Sequence, residues 1–594
     1  MAKINWCGLF FIFLILPGLA YGAQIPPRDL ERIVVAKEKA YFSHTFTLKV
    51  EDFYASPIES LSLLPLDLQS RSLREGIQTD FSLRGSTFQG VLVLIDGQRI
   101  NDPQTGHHNS DIPLTKADIA RIDLIPGISS SLFGPDAIGG AINFLTKKPQ
   151  QKELILEGSY GSFDTKAGLF SFTEKIKDLS FRVSSEYAQS DGFHYDTDFK
   201  KYTATFSSSL DVPCGAVNLD FGYQDKEFGA FDFYTPGLGY PSEEWTKTYL
   251  LEAGLLSENE GLIIKPNFLW RRHYDKFMLD KTEVRSRYLN QHRTDIYTPN
   301  IYFQKQTGFL GRAGLGFEYG REEIHSTNLG KHYRNHESIF FDDNKDINQR
   351  FSLAGSLRMD NFEGFNTAYT GALNLKYKVG GASGLTLGIA RSIRIPTFTE
   401  LYYNDPTTAG NRNLSVEESV NYQLGYDYKK DGFSLGTAFF FREAIDVIDW
   451  IKRSPLQAKW QAENISDTGV LGLENYFSWQ FNKYIKMSCN YTYINKQADT
   501  RGYLYKYGRN YSRHLANAMV DFNLPCGIQG LTLTYKERPG RGGWFILNSH
   551  FAYKIHRNGQ IFLDITNLLG VKYEEIAGIP QPGRAIEGGI RCQW

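Results

Sequence analysis

From about residue 150 onward the chain repeats one device: segments of roughly ten residues in which apolar and polar side chains alternate, separated by Gly, Asn, Asp or Pro. In LSFRVSSEY, Leu179, Phe181, Val183 and Tyr187 share one face, while Ser180, Arg182, Ser184 and Glu186 share the other. A period of two is that of a strand with two unlike sides. WFILNSHFAY repeats the pattern with Phe545, Leu547, Phe551 and Tyr553, followed by Asn558-Gly559, a hairpin signal, and then by IFLDITN. Beyond the N-terminal leader no apolar stretch approaches the ~20 residues of a spanning helix. Either the strands pack in a soluble protein or they cross a membrane as a closed barrel, because in lipid only helices and closed barrels satisfy every backbone group.

The leader itself, MAKINWCGLFFIFLILPGLAYGAQ, places a basic Lys3 before an apolar run from Leu9 to Leu16, then Pro17 and the small residues Ala20, Gly22 and Ala23. That order predicts a secretory signal peptide over residues 1–22 and an exported mature chain. Charge is balanced, with 65 Lys+Arg against 66 Asp+Glu, so nothing points to nucleic acid as a partner. Cys214, Cys489, Cys526 and Cys592 are scattered without zinc-site or disulfide-framework spacing and read as unpaired.

The last segment decides between the two strand architectures. In AIEGGIRCQW, Ile586, Ile590, Cys592 and Trp594 lie on one face, and Ala585, Glu587, Arg591 and Gln593 on the other. An alternating strand ending on an aromatic resembles the barrel-assembly signal of bacterial outer-membrane barrels, with Trp594 at the lipid interface and Glu587 in a wet lumen. The region 150–594, at roughly 20 residues per strand with its connection, gives about 22 antiparallel strands, a width that needs a plug. Residues 41–149, which mix short β-like and helical segments, supply a candidate: a mixed α/β plug inside an all-β transmembrane barrel.

Three signatures in the N-terminal part sharpen this. DFSLRGSTFQGVLVLIDGQRIND holds the buried-type strand Val91–Ile95 followed by Asp96-Gly97, a pair that tolerates positive φ in a tight turn. IARIDLIPGISSSLFGPDAIGGAINFLTKKP carries Gly139-Gly140 just before a strand. ERIVVAKEKA, within the extension 23–40, is a short β-prone patch able to add to the edge of a partner's sheet. Together with Arg84-Gly85, RSIRIPTFTELYY (Arg391–Tyr403), GNRNLSVEES (Gly410–Ser419) and YEEIAGIPQPGR (Tyr573–Arg584), these resemble the plug and barrel landmarks of TonB-dependent receptors over nearly the whole mature chain. The closest resemblance is to cobalamin-receptor-like members.

That resemblance implies a monomeric receptor in the bacterial outer membrane. It takes up a scarce small-molecule nutrient, energised by a TonB-type protein that engages a Ton box at Ile33, Val34, Val35 and Ala36. A first plug strand is the other reading of those four residues. No covalent chemistry and no cofactor are required, and no GxSxG, HExxH or P-loop sequence appears. An outer-membrane enzyme and a passive porin are the competing classes. The sequence departs from the family pattern at LIPGIS, where Ile125 stands in place of a basic residue. This leaves Arg84 and Arg121 as candidates to meet lumenal carboxylates such as Glu587.

Cobalamin or a related corrinoid is the expected cargo, with a ferric siderophore as the alternative. Haem is disfavoured because Asn404 to Asn411 holds no histidine. The plug loop QTGHHNSDIP offers Gln104, His107, His108 and Asn109 as ligand contacts, and the stretch 225–245 offers Phe233, Tyr234, Tyr240 and Trp245. A metal site from the two adjacent histidines is not expected, since loop neighbours rarely converge and the sequence shows no third ligand. Asp191, Asp196 and Asp198 are candidate calcium ligands, with solvated loop acids as the alternative. DDNKDIN, with Asp342, Asp343 and Asp346, reads as a polar loop, and Pro539–Gly543 as a loop between strands.

Overall fold

The computed structural model describes residues 45–594, except 51–55, 73, 128–129, 236, 284–288, 466 and 499–501. The segments expected to be a signal peptide, 1–22, and a Ton box, Ile33–Ala36, lie outside the described residues. Twenty-two strands, from Glu153–Gly161 to Ala585–Gln593, form a closed antiparallel barrel. Each strand pairs with its neighbours in the chain, and the last pairs with the first through Glu587 opposite Gly161 to Gln593 opposite Ile155. The backbones of Leu154 and Trp594 exchange two hydrogen bonds of 3.0 Å at the end of that seam. Among the described residues no helix is long and apolar enough to cross a membrane.

The alternation sorts as period two requires. On Leu179–Ser190, Leu179, Val183 and Tyr187 are 40%, 40% and 41% exposed, whereas Ser180, Arg182 and Ser184 are buried toward the lumen. The apolar face is outside and the polar face inside, the reverse of a soluble sandwich. One end of the barrel has tight turns such as 177–178, 213–214 and 260–261, and the other has long connections such as 230–242, 395–416 and 567–584. Short periplasmic turns and long outer loops therefore orient the molecule. The hairpin at RNGQ forms, but its tip is Arg557-Asn558, with His556 paired to Gly559, rather than Asn558-Gly559. Asp342 and Asp343 belong to the strand Gly330–Asp346, not to a loop, and buried Asp342 accepts a hydrogen bond from Tyr302 at 2.7 Å.

The plug inside carries a five-stranded sheet in the order Phe46–Lys49, Ile119–Pro126, Gly140–Thr146, Val91–Ile95, Gln98–Arg99. Its helices are single turns, Pro57–Ser60 and Ser130–Phe133. Asp96 and Gly97 take φ of 49° and 84°, the two positive values that the Asp-Gly turn demands. At Gly139-Gly140 the backbone has no room for a side chain: a Cβ on Gly139 would lie 2.3 Å from the Leu83 carbonyl oxygen, and one on Gly140 2.3 Å from that of Ile125. Ile125, where a basic residue was expected, is fully buried beside Leu92 and Leu94.

Buried ion pairs join plug to wall. Arg84 reaches Glu474 bidentately at 3.0 and 2.5 Å, with its guanidinium carbon 4.2 Å from the centre of the Phe440 ring. Arg99 bridges Glu322 and Asp136, both at 2.7 Å, and Arg182 holds Asp118 at 2.8 Å. Arg84 thus meets a lumenal carboxylate as expected, but it is Glu474 rather than Glu587, and Arg121 pairs with Asp123 two residues along its own strand at 2.9 Å.

Candidate functional site

A cavity of about 330 Å³ opens at the long-loop end. The plug loop supplies its floor and the outer connections its walls. The segment containing QTGHHNSDIP is held there by its own backbone chemistry. Thr105 caps a single turn over Gly106–His108, Asn109 Oδ1 accepts the Asp102 N–H at 3.0 Å, and Asp102 Oδ1 accepts the Gln104 N–H at 2.9 Å. Beyond this loop the chain enters the strand Ile119–Pro126.

The barrel landmark RSIRIPTFTELYY docks on this loop. Thr397 and Glu400 form a reciprocal capping box at the start of Phe398–Tyr402. The free N–H groups of that helical turn are spent on the plug: Phe398 donates to the Pro103 carbonyl at 2.8 Å and Thr399 to that of Gln104 at 3.1 Å. Arg394, fully buried, holds Glu400 and Glu417 at 2.9 Å each and so fixes the landmark to the wall.

His107 and His108 point to different surroundings. His107 stacks on Phe88 with ring centres 4.2 Å apart, and its Nδ1 lies 2.8 Å from Asp80 Oδ1. Burial pushes its pKa below the ordinary histidine value, against the pull of Asp80 and with help from Arg71. Burial also disfavours the charged form of His108, but Asp275, Asp111 and Glu244 overrule it and push the pKa up to about 9. His108 Nε2 faces Asp275 Oδ2 at 3.3 Å, and its Nδ1 faces Asp111 at 3.8 Å. The two neighbours diverge, as expected of a loop. His108 nevertheless meets further potential ligands, because barrel strands bring Glu244 and Asp275 to it.

Of the residues proposed from sequence, Gln104, His107, His108, Tyr234 and Tyr240 line the cavity. Asn109 is buried and turned to its own loop. Phe233 lies outside the cavity lining: it is 2% exposed and packs with Ile77 and Phe228. Trp245 also leaves the set, because Glu244 and Thr246 on either side point inward and its ring faces outward, with Lys276 Nζ 4.0 Å from its centre. Asp196 is engaged by Lys281. Among the described residues, the groups of His, Cys, Asp and Glu able to hold one ion are His108 with Glu244 and Asp275, and His108 with Asp111 and His273. Sequence reasoning did not single out Tyr403, Trp450 and Tyr507, which also line the walls.

The family comparison agrees with barrel and plug together. A "TonB dependent receptor-like, beta-barrel" family matches residues 152–568, and the "TonB-dependent Receptor Plug Domain" matches residues 58–141. The chain belongs to the TonB-dependent receptors. The receptor is therefore an outer-membrane transport protein rather than an enzyme, and the family implies a TonB partner and a small-molecule ligand. It is similar to the Vitamin B12 transporter BtuB of Photobacterium profundum, 26% identical over 421 residues, covering 67% of this chain and 66% of that one. BtuB of Vibrio cholerae is 23% identical over 567 residues, covering 86% and 85%. The fold is shared with the ferric enterobactin receptor of Pseudomonas aeruginosa, with a TM-score of 0.76, 16% identity and coverage of 93% and 99%.

Proposed function

We propose that the receptor imports a corrinoid of the cobalamin class, using TonB-coupled energy delivered through Ile33–Ala36. The observation that carries this reading is likeness in sequence to vitamin B12 transporters across 86% of the chain. The cavity suits the chemistry. It has aromatic faces from Tyr234, Tyr403, Trp450 and Tyr507 for a large flat ligand, and the polar groups of Gln104 and His107 at the floor to orient it. A ferric siderophore is the second reading. It is favoured by a 132-residue match, 36% identical, to the iron-regulated outer membrane virulence protein of Vibrio cholerae.

Binding of cyanocobalamin and a siderophore panel to the purified receptor separates the two. Tight corrinoid binding, weakened by Tyr234→Ala, is the expected result. Tight siderophore binding with none to cyanocobalamin replaces the first reading with the second. Deleting Ile33–Ala36 is expected to abolish uptake while leaving binding intact, and uptake that persists overturns the energised mechanism.

A further inference from the structure

Buried carboxylates in this protein are usually matched by a guanidinium or an ammonium. Asp102 has Arg271 at 2.6 Å, Asp111 has Lys226, and Glu322 has Arg99 and Arg334. Glu244 and Asp275, 1% and 6% exposed, break the pattern. Among the described residues neither forms an ion pair with a lysine or arginine; Asp275 has His108 Nε2 at 3.3 Å, accepts a hydrogen bond from Gln104 Nε2 at 3.0 Å, and lies opposite His292 on the next strand. The hydrogen-bond donor to Glu244 among the described residues is the Tyr234 hydroxyl, 3.1 and 3.4 Å from its two oxygens. Two buried carboxylates thus share one imidazole where their neighbours each have a guanidinium or ammonium, and a divalent charge offsets the cost that remains.

Unused lone pairs mark the same spot. Asp275 Oδ1 and Gln104 Oε1 have no hydrogen-bond partner, although both residues are at least nine-tenths buried and line the cavity floor. Unfilled acceptors, rather than unfilled donors, call for a cation. The donor atoms of His108, Glu244 and Asp275 all lie within 4.8 Å of one another, and they come from three separate elements: the plug loop, the strand Glu243–Asn259 and the strand Leu262–Met278.

We propose that His108 Nε2, Glu244 and Asp275 form a binding site for a divalent transition-metal ion of the zinc class, open to the outer cavity. One imidazole and two carboxylates suit zinc and its neighbours, and three protein ligands leave a coordination position for water or a ligand group from the cavity. Calcium is a poor match, because it takes six to eight oxygens. The other side of His108 is already arranged for support. Asp111 faces its Nδ1 and is itself held by Lys226 and by His273 Nε2 at 2.8 Å, which fixes the carboxylate that orients the ring. A metal here ties the plug loop to two barrel strands directly beneath the cargo, whichever cargo is carried.

The full-length receptor, purified in detergent and stripped with a chelator, is titrated with Zn²⁺ in the absence of any corrinoid or siderophore. One equivalent is expected to bind. His108→Ala and Glu244→Gln are each expected to weaken it by more than about tenfold, while His325→Ala leaves it unchanged and excess Ca²⁺ does not compete. Barrel integrity in the variants is read from resistance to unfolding in unheated detergent electrophoresis. Should a variant fail to fold, the native receptor loaded with Cu²⁺ gives the answer by electron paramagnetic resonance, where coupling to one imidazole nitrogen is expected. Absence of Zn²⁺ binding, equal affinity in folded His108→Ala, or no nitrogen coupling overturns the site. Cyanocobalamin binding, measured separately, reports on the transport reading alone.

Discussion

The plug meets its barrel in two unlike ways. Around most of the lumen it is bolted down: Arg84–Glu474, Arg182–Asp118 and Arg271–Asp102 are buried pairs made across the interface. Where the first and last strands meet, it stands off. A cavity of about 410 Å³ separates the plug from Glu153–Gly161 and Ala585–Gln593, and a second of about 130 Å³ lies against Gly542–His556 and Gly559–Thr566. The contacts on this side are wetter. Lys116 reaches Glu157 at 3.2 Å with both side chains 16% exposed. The difference teaches where rigidity resides, because a buried pair leaves an uncompensated charge when broken, whereas a solvated pair exchanges one polar partner for water.

Removing a bolt is expected to have the largest effect. Arg84→Ala leaves Glu474 buried without its partner and is expected to cost about 3–5 kcal/mol of plug stability. Hydrogen exchange of the Val91–Ile95 and Gly140–Thr146 strands measures it, and a loss below about 1 kcal/mol would show that the bolted wall is no firmer than the wet one. Acid is expected to act next. Burial opposes the charge on Asp67, but Arg538 and Lys536 hold its pKa down at about 2, against about 3.9 in an unfolded chain. A depressed carboxylate gives its full stabilisation above the unfolded value and loses it as pH falls from about 4 through about 2, a change of roughly 2 kcal/mol. Asp67→Asn is expected to flatten that part of the plug's pH–stability curve, and an unaltered slope would remove Asp67 as its cause. Lys116→Ala, on the standing-off side, is expected to cost less than about 1 kcal/mol in the same exchange measurement. A larger loss would erase the contrast between the two walls.

How much of this was legible depended on the range of the signal. Alternation in LSFRVSSEY announced a strand with a wet and a greasy face, and Asp96-Gly97 and Gly139-Gly140 announced backbone that only certain residues tolerate. Those are local constraints, and they held. Phe233 and Trp245 lie off the cavity lining, because aromatic identity does not say which way a loop folds or which side a strand presents. Asp342 and Asp343 looked like a loop because polarity near a strand end is the same whether a carboxylate faces a lumen or bulk water. The partners of Asp102, His108 and Arg84 were invisible for a different reason. They lie 169, 167 and 390 residues away in the chain (Arg271, Asp275 and Glu474) and become neighbours only when the barrel closes round the plug. The third metal-type ligand absent from the loop sequence belongs to this class.

The closing seam has a consequence for how the molecule comes to exist. Every other pairing in the barrel joins strands consecutive along the chain, and each can form as a local hairpin. The seam joins residues such as Ser159 and Glu587, 428 positions apart. A free chain would lose much entropy in bringing such ends together, and that cost shrinks as the intervening hairpins assemble into a stiff, curved sheet. The seam is thus the natural last step of assembly. The plug, tethered to the first strand, has to be inside the curve before the final hydrogen bonds shut the door behind it.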